Sequence, residues 1–257
     1  VWEAVRSSWI FIENVDRVPD MDADEKERLK AEAKMIIASR YFDMFRHFGG
    51  LPIVKGAFDV LEDYDAPRAT VEETVNFMVD LCTEAAKVLP WDVTKDGESN
   101  WQGRMTSAAA LGLKCKILLF AASPLFNDNQ PYCTAEPQEA VTSHMVWYGG
   151  YKPELWKECL DACEEFFKEL NSKGHYALVQ ADGTSCEDYR EAFNEAYFLR
   201  KSTELLISTR VSLYYGYYYG DYDYLFPTFV SYGAFTPTLE YCLLYTSPSP
   251  RDYAASR

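Results

Sequence analysis

The stretch LYYGYYYGDYDYLFP, residues 213–227, holds seven tyrosines, one phenylalanine and no cation. A tyrosine joins an apolar ring face to a hydroxyl that both donates and accepts hydrogen bonds. Burying every hydroxyl in so short a span would demand a polar partner for each. Three uses remain open: packing against the rest of the chain, contact with a partner protein, or a platform for a ligand. In the last case Tyr217, Tyr219, Tyr222 and Tyr224 are the candidate ligand contacts, with Asp221 and Asp223 as acceptors for ligand hydroxyls. Trp101, in the polar segment GESNWQGR, is a further candidate platform; its alternative is folding back on a neighbouring helix.

No catalytic constellation accompanies these rings. The seven cysteines are scattered and form no CxxC pair. Cys159 and Cys163 lie one helical turn apart with His175 beyond, but a structural zinc site wants four ligands, so CLDACEEFF reads as core packing. His47, in FRHFGGLP, reads as a structural histidine whose charge suits a helix C-terminus. Glu72-Glu73 and Glu164-Glu165 fall on solvated helix faces, and nothing selects a carboxylate pair facing across a cleft. HExxH, P-loop, GxSxG and complete EF-hand patterns are all missing. The sequence therefore assigns no catalytic residue, no metal and no cofactor. Its net charge of −15 and pI near 4.7 argue against nucleic acid and anionic lipid as partners, and mildly against polyanionic glycans. No apolar run is long enough to span a membrane.

The elements that must position the rings are mostly helical. Residues 1–14 read as a helix with Val5, Trp9 and Phe11 inward. A second helix spans 25–48, capped from Asp22 or Asp24; its stripe runs through Leu29, Ile36, Ile37, Tyr41, Phe45 and Phe48, and Gly49-Gly50 and Pro52 end it. Thr70 with Glu73 forms a capping box that opens a helix over 70–89. Residues 107–121, capped by Thr106 or Ser107, are apolar nearly all round and so are expected at the centre, with Leu118 and Leu119 buried beside Phe45 and Val79. Residues 123–152 read as loops, 153–170 as a helix between Pro153 and Gly174, and 187–196 as a short helix. HYALV (175–179) and ELLISTRVSLYY (204–215) read as strands. The fold class is mainly α: helix pairs resembling tetratricopeptide repeats, with long irregular loops and a few short strands.

The order of these segments resembles that of the SusD/RagB family, the nutrient-binding outer-membrane lipoproteins of Bacteroidota. AEAKMIIASRYFDMFRHFGGLPIV (31–54) is similar to the family's helix followed by GG-x-P. APRATVEETVNFMVDLCTEAAKVLP (66–90) is similar to its Arg-Ala-Thr helix opening. GRMTSAAALGLKCKILLFAASPLFN (103–127) resembles its Gly-Arg-x-Thr helix ending in Ala-Ser-Pro. STELLISTRVS (202–212) and GAFTPTLEY (233–241) resemble the strand after the helical core and the Pro-Thr-x-Glu segment.

The resemblance implies a surface-exposed lipoprotein of the cell outer membrane, anchored by an N-terminal lipid and capping a SusC-like TonB-dependent transporter. It implies capture of a glycan, an oligosaccharide or a peptide, by a binding protein and not an enzyme. A sugar ring has C–H groups on one face and hydroxyls at its rim, which suits the tyrosine-rich stretch. A helical-repeat scaffold that binds proteins and no sugar stays open, as does an α-helical glycoside hydrolase. Residues 1–241 read as a partial SusD-like domain, with a helical core over about 1–200 and a loop- and strand-rich ligand face over 201–241. The family's lipidated cysteine, its signal and its C-terminal part are expected outside this fragment. CLLYTSPSPRD (242–252) resembles a translated transposon-end sequencing adapter, so 242–257 is expected to be a non-native tail.

Overall fold

The computed structural model describes residues 1–58, 66–93, 103–132, 134, 137–199 and 202–207. The chain divides into two compact units, Val1–Thr209 and Arg210–Arg257, and everything described lies in the first. The architecture is mainly α, as the periodicity predicts. The helices are α1 (Trp2–Asn14), α2 (Ala23–Phe48), α3 (Val71–Val88), α4 (Ser107–Ala122), α5 (Gln138–Thr142), α6 (Glu154–Lys173) and α7 (Cys186–Phe198). A 3-10 turn, Val15–Arg17, follows α1.

The long helices pack in chain order: α1 on α2, α2 on α3, α3 on α4, and α4 on α6, with a lighter contact of α2 on α4. Phe45, Met78, Ile117 and Tyr41 are fully buried between them. Ala108, Ala109 and Ala110 on α4 are also fully buried, since a methyl side chain lets helix backbones approach closely. Phe45 stacks on Phe126 at 4.6 Å, closing the core beneath the end of α4.

The helix starts follow from their caps. The Thr70 hydroxyl accepts from the Glu73 amide at 3.1 Å, and the Glu73 carboxylate accepts from the Thr70 amide at 2.8 Å. Thr106 accepts from the Ala109 amide at 3.1 Å. Ser185 and Asp188 make a second reciprocal box at α7, with aspartate in the place of the usual glutamate. Asp22 occupies the cap position of α2 without a side-chain cap bond.

The end of α2 explains the double glycine. Gly49 has φ +73°, a conformation that favours glycine. A Cβ on Gly50 would lie 2.0 Å from the Ala69 carbonyl oxygen. That close approach lets residues 50–54 run beside 68–71: Ala69 donates to the Leu51 carbonyl at 3.2 Å, and Pro52 and Arg68 form an isolated antiparallel bridge. Arg68 donates from Nε to the Gly50 carbonyl at 2.9 Å and from Nη2 to the Phe48 carbonyl, capping the exposed end of α2. The loop after α5 completes the junction, with Gly50 donating to the Met145 carbonyl at 2.7 Å and Val71 to the His144 carbonyl at 3.0 Å. Two of the family-like blocks thus meet in space as the backbone frame of the fold.

Several expectations need correction. Leu119 is 52% exposed: the nearly uniform apolarity of α4 hides one open strip, which Lys116 marks one turn earlier. Phe11, Ile36 and Phe48 are likewise exposed, because each sits at the margin of its stripe where the next helix does not reach. Val79 is half-buried, whereas Leu118 and Phe45 are buried as expected. Residues 138–142, read as loop, form α5. Residues 175–179 and 204–207 form no strand, since one backbone bond, from the Ala177 amide to the Thr203 carbonyl at 3.2 Å, does not make a ladder. The rest of the expected strand, 208–215, and the proposed tail lie outside the described residues.

Candidate ligand-binding surface

Trp101, Tyr217, Tyr219, Tyr222 and Tyr224 all lie outside the described residues. The structure does define what anchors the segment that carries Trp101. On its N-terminal side, Trp91 is buried, its indole N–H donates to the Gly174 carbonyl at 2.9 Å, and its ring meets Tyr176 edge-on at 5.9 Å. The Lys173 ammonium lies 5.1 Å from the Trp91 ring centroid. The Tyr176 hydroxyl lies 3.3 Å from the Thr106 hydroxyl and donates to the Trp91 carbonyl at 3.4 Å. Burial of the Tyr176 phenol raises its pKa, so it stays a neutral donor at physiological pH.

On the C-terminal side, Arg104 forks onto Glu32 of α2. Its Nε lies 3.0 Å from each carboxylate oxygen and its Nη2 lies 2.6 Å from Oε2. Both side chains are partly shielded, which favours this bidentate pair over the looser surface pairs around it. The family-like Gly-Arg-x-Thr block is therefore a fastening: the arginine ties the segment to α2 and the threonine caps α4.

A second aromatic feature was missed in the sequence reading. Tyr189, Phe193 and Tyr197 repeat every four residues along α7 and are 58%, 63% and 69% exposed. The Phe193 and Tyr197 rings are nearly parallel, 6° apart in plane with centroids 5.8 Å apart. Below α7 the chain is clasped: Thr203 donates from its hydroxyl to the Ala177 carbonyl at 2.8 Å, and Val179 donates to the Glu204 carboxylate at 2.8 Å. The signal was available in EDYREAFNEAYF, whose ring spacing is helical and whose intervening positions are charged or small. These exposed ring faces suit a neutral ligand that offers C–H faces and hydroxyls.

The other candidate groups take structural places. His47 is exposed in the last turn of α2, edge-on to Phe48 at 6.3 Å. Cys159 is buried and Cys163 half-buried against the core, as their apolar setting predicts. Glu72 pairs with Lys152 at 3.1 Å and Glu165 with Lys114 at 2.8 Å, both solvated. Among the described residues no group of three or more His, Cys, Asp or Glu has metal-holding geometry, and no helix is long and apolar enough to cross a membrane.

The fold of serially packed helices is shared with solved proteins. Residues 1–119 match the SusD-like family described as starch-binding and associating with the outer membrane. The protein BT4246 superposes with a TM-score of 0.64 at 22% identity, over 84% of this chain and 41% of its own. A SusD-like protein from Bacteroides fragilis NCTC 9343 gives 0.55 at 19% identity, over 80% and 32%. A SusD superfamily protein from Bacteroides vulgatus ATCC 8482 gives 0.53 at 20%, over 81% and 39%. No curated protein matches the chain. Over residues 1–119 the chain is similar to the SusD-like family, it shares the fold of these solved proteins, and it spans about two-fifths or less of their length.

Proposed function

We propose that the protein captures a neutral glycan or oligosaccharide at the cell surface and passes it to a SusC-like TonB-dependent outer-membrane transporter, without cleaving it. The observation that carries this reading is the match of residues 1–119 to a starch-binding, outer-membrane-associated family. The acidic balance of the chain and the exposed rings of α7 support a neutral ligand held by stacking and hydroxyl hydrogen bonds. Attachment to the outer membrane through an N-terminal lipid belongs to the same proposal. Trp101, Tyr217, Tyr219, Tyr222 and Tyr224 are its proposed ligand contacts.

The test is retention of the folded chain by immobilised neutral polysaccharides, starch first, followed by titration calorimetry with soluble oligosaccharides. Retention is expected, with no shortened sugar product after prolonged incubation. Single alanine replacements at the five proposed contacts should identify rings whose loss weakens binding roughly tenfold at unchanged melting temperature. A well-folded chain that no neutral glycan retains, or that pulls down protein partners alone, would favour a helical-repeat scaffold instead.

A further inference from the structure

Helix α6 carries two apolar stripes. Leu155, Cys159 and Ala162 are buried in the core that α6 shares with α4. Beside them Trp156, Leu160, Cys163 and Phe167 recur at spacings of four, three and four residues. Trp156, Leu160 and Phe167 are 40%, 53% and 57% exposed, and Cys163 is half-buried. A four-three-four apolar spacing is that of a seam between two helices. Among the described helices α6 packs on α4 alone, so no other helix of the row covers this side. The outermost member of a helical stack ordinarily turns a polar face outward, and α6 does not.

We propose that a second copy of this chain docks on the outer stripe of α6, making an antiparallel α6–α6 homodimer. The stripe is symmetric about the point between Asp161 and Ala162. Laid antiparallel on a second copy, Trp156 meets Phe167 of that copy and Leu160 meets its Cys163, and the two-fold axis repeats each contact. The charges beside the stripe fit the same register. Lys157 and Glu164 are both exposed, and each follows a stripe residue by one position. Lys157 then lies between the two apolar layers, in the interval that holds Glu164 of the second copy, so opposite charges meet, again twice. Lys157 already pairs with Asp161 on its own helix, one turn along, which places its ammonium on this flank. A single pair of helices is at the low end of interface size, so the dimer is reversible and forms in the micromolar range. Dimer formation is independent of glycan capture and goes beyond it.

Sedimentation equilibrium of the whole chain, from micromolar to hundreds of micromolar, reads its mass against the 29.5 kDa of one copy. The expected result is a concentration-dependent rise toward twice that mass. Leu160→Glu puts a charge in the middle of the seam and should weaken association at least about tenfold, while the melting temperature of the dilute chain stays within about 2 °C of wild type. Lys157→Glu should weaken association too, and adding Glu164→Lys should restore it, a rescue that a merely adhesive surface would not show. Hydroxyl-radical footprinting at Trp156 and Phe167 identifies any other occupant. A chain that stays monomeric throughout overturns the inference: labelled rings then mean an open face, and protected rings mean a face covered by another segment of the same chain. A dimer that survives Leu160→Glu overturns it as well, because the contact lies elsewhere. So does a dimer indifferent to the charge exchange, because its register is different.

Discussion

The Tyr41 hydroxyl accepts a hydrogen bond from the Val54 amide at 2.8 Å and donates one to the Pro52 carbonyl at 2.9 Å. One buried phenol from the middle of α2 thereby satisfies two backbone groups of the strand-like segment that follows the double glycine. Its ring also meets Phe77 edge-on at 5.0 Å, so the residue belongs to core and junction together. Tyr41→Phe keeps the ring and strands the Val54 N–H. Urea unfolding should show a loss of about 1–3 kcal/mol, the cost of an unsatisfied buried donor.

Gly50→Ala should be far more damaging than its one added carbon suggests. The new Cβ would meet the Ala69 carbonyl oxygen at 2.0 Å, and both sides are backbone held by hydrogen bonds. A loss of at least about 2–3 kcal/mol, or failure to fold, is expected. Gly56→Ala is the control: its Cβ would meet the flexible Glu13 carboxylate at 3.1 Å, and the loss should stay below about 1 kcal/mol.

The capping box predicts an acid-side effect. Hydrogen bonds from the Thr70 amide and hydroxyl hold the Glu73 carboxyl below its ordinary range. A lowered folded-state pKa contributes stability that is present above the unfolded value and is lost as pH falls through the folded one. Thr70→Ala should cost about 1 kcal/mol at neutral pH, and the difference from wild type should shrink on acidification below about pH 4.

Cys82 predicts the opposite behaviour at high pH. Burial pushes its thiol up from 9.0 to about 12. Between those values the unfolded chain releases the proton and the folded chain keeps it, so stability is full below pH 9 and declines as pH climbs toward 12. Cys82→Ala should flatten that part of the pH profile of melting temperature, whatever it costs at neutral pH.

On α7, replacing Phe193 and Tyr197 with alanine should leave the melting temperature within about 1 °C of wild type, since both rings face solvent. Phe45→Ala, at full burial, should cost about 3–5 kcal/mol. If the α7 rings contact the glycan, the double variant will lose affinity at constant stability.

The fold was legible where one physical signal dominated. Thr70 and Glu73 announced α3, and the stripe through Val75, Met78 and Cys82 faces the core as written. Leu119 was not legible because an all-apolar helix has no face to read, and the open strip appears only once α6 is in place. Residues 175–179 misled because β-branched and aromatic content records a preference for a pleated surface, while no neighbouring segment supplies a ladder. Of the site, Trp101 could be placed on a segment between two helices, but its anchors could not. Arg104 and Glu32 lie far apart in sequence, and nothing local says that they meet. The α7 rings were not legible as a surface because rings four residues apart on a helix read equally well as a buried stripe.

The serial packing of α1 through α6 also has a kinetic side. Each long helix rests chiefly on the one before and the one after, so most contacts join segments close in sequence. Such a chain need not wait for its two ends to find each other before burying surface, and a turn formed early is rewarded at once by its neighbour. The same arrangement makes disassembly directional. Helices at either end of the row are held from one side and α2, α3 and α4 from two or more, so amide exchange should run fastest in α1 and α6 and slowest in the inner helices, as in a stack that loosens from its outermost members.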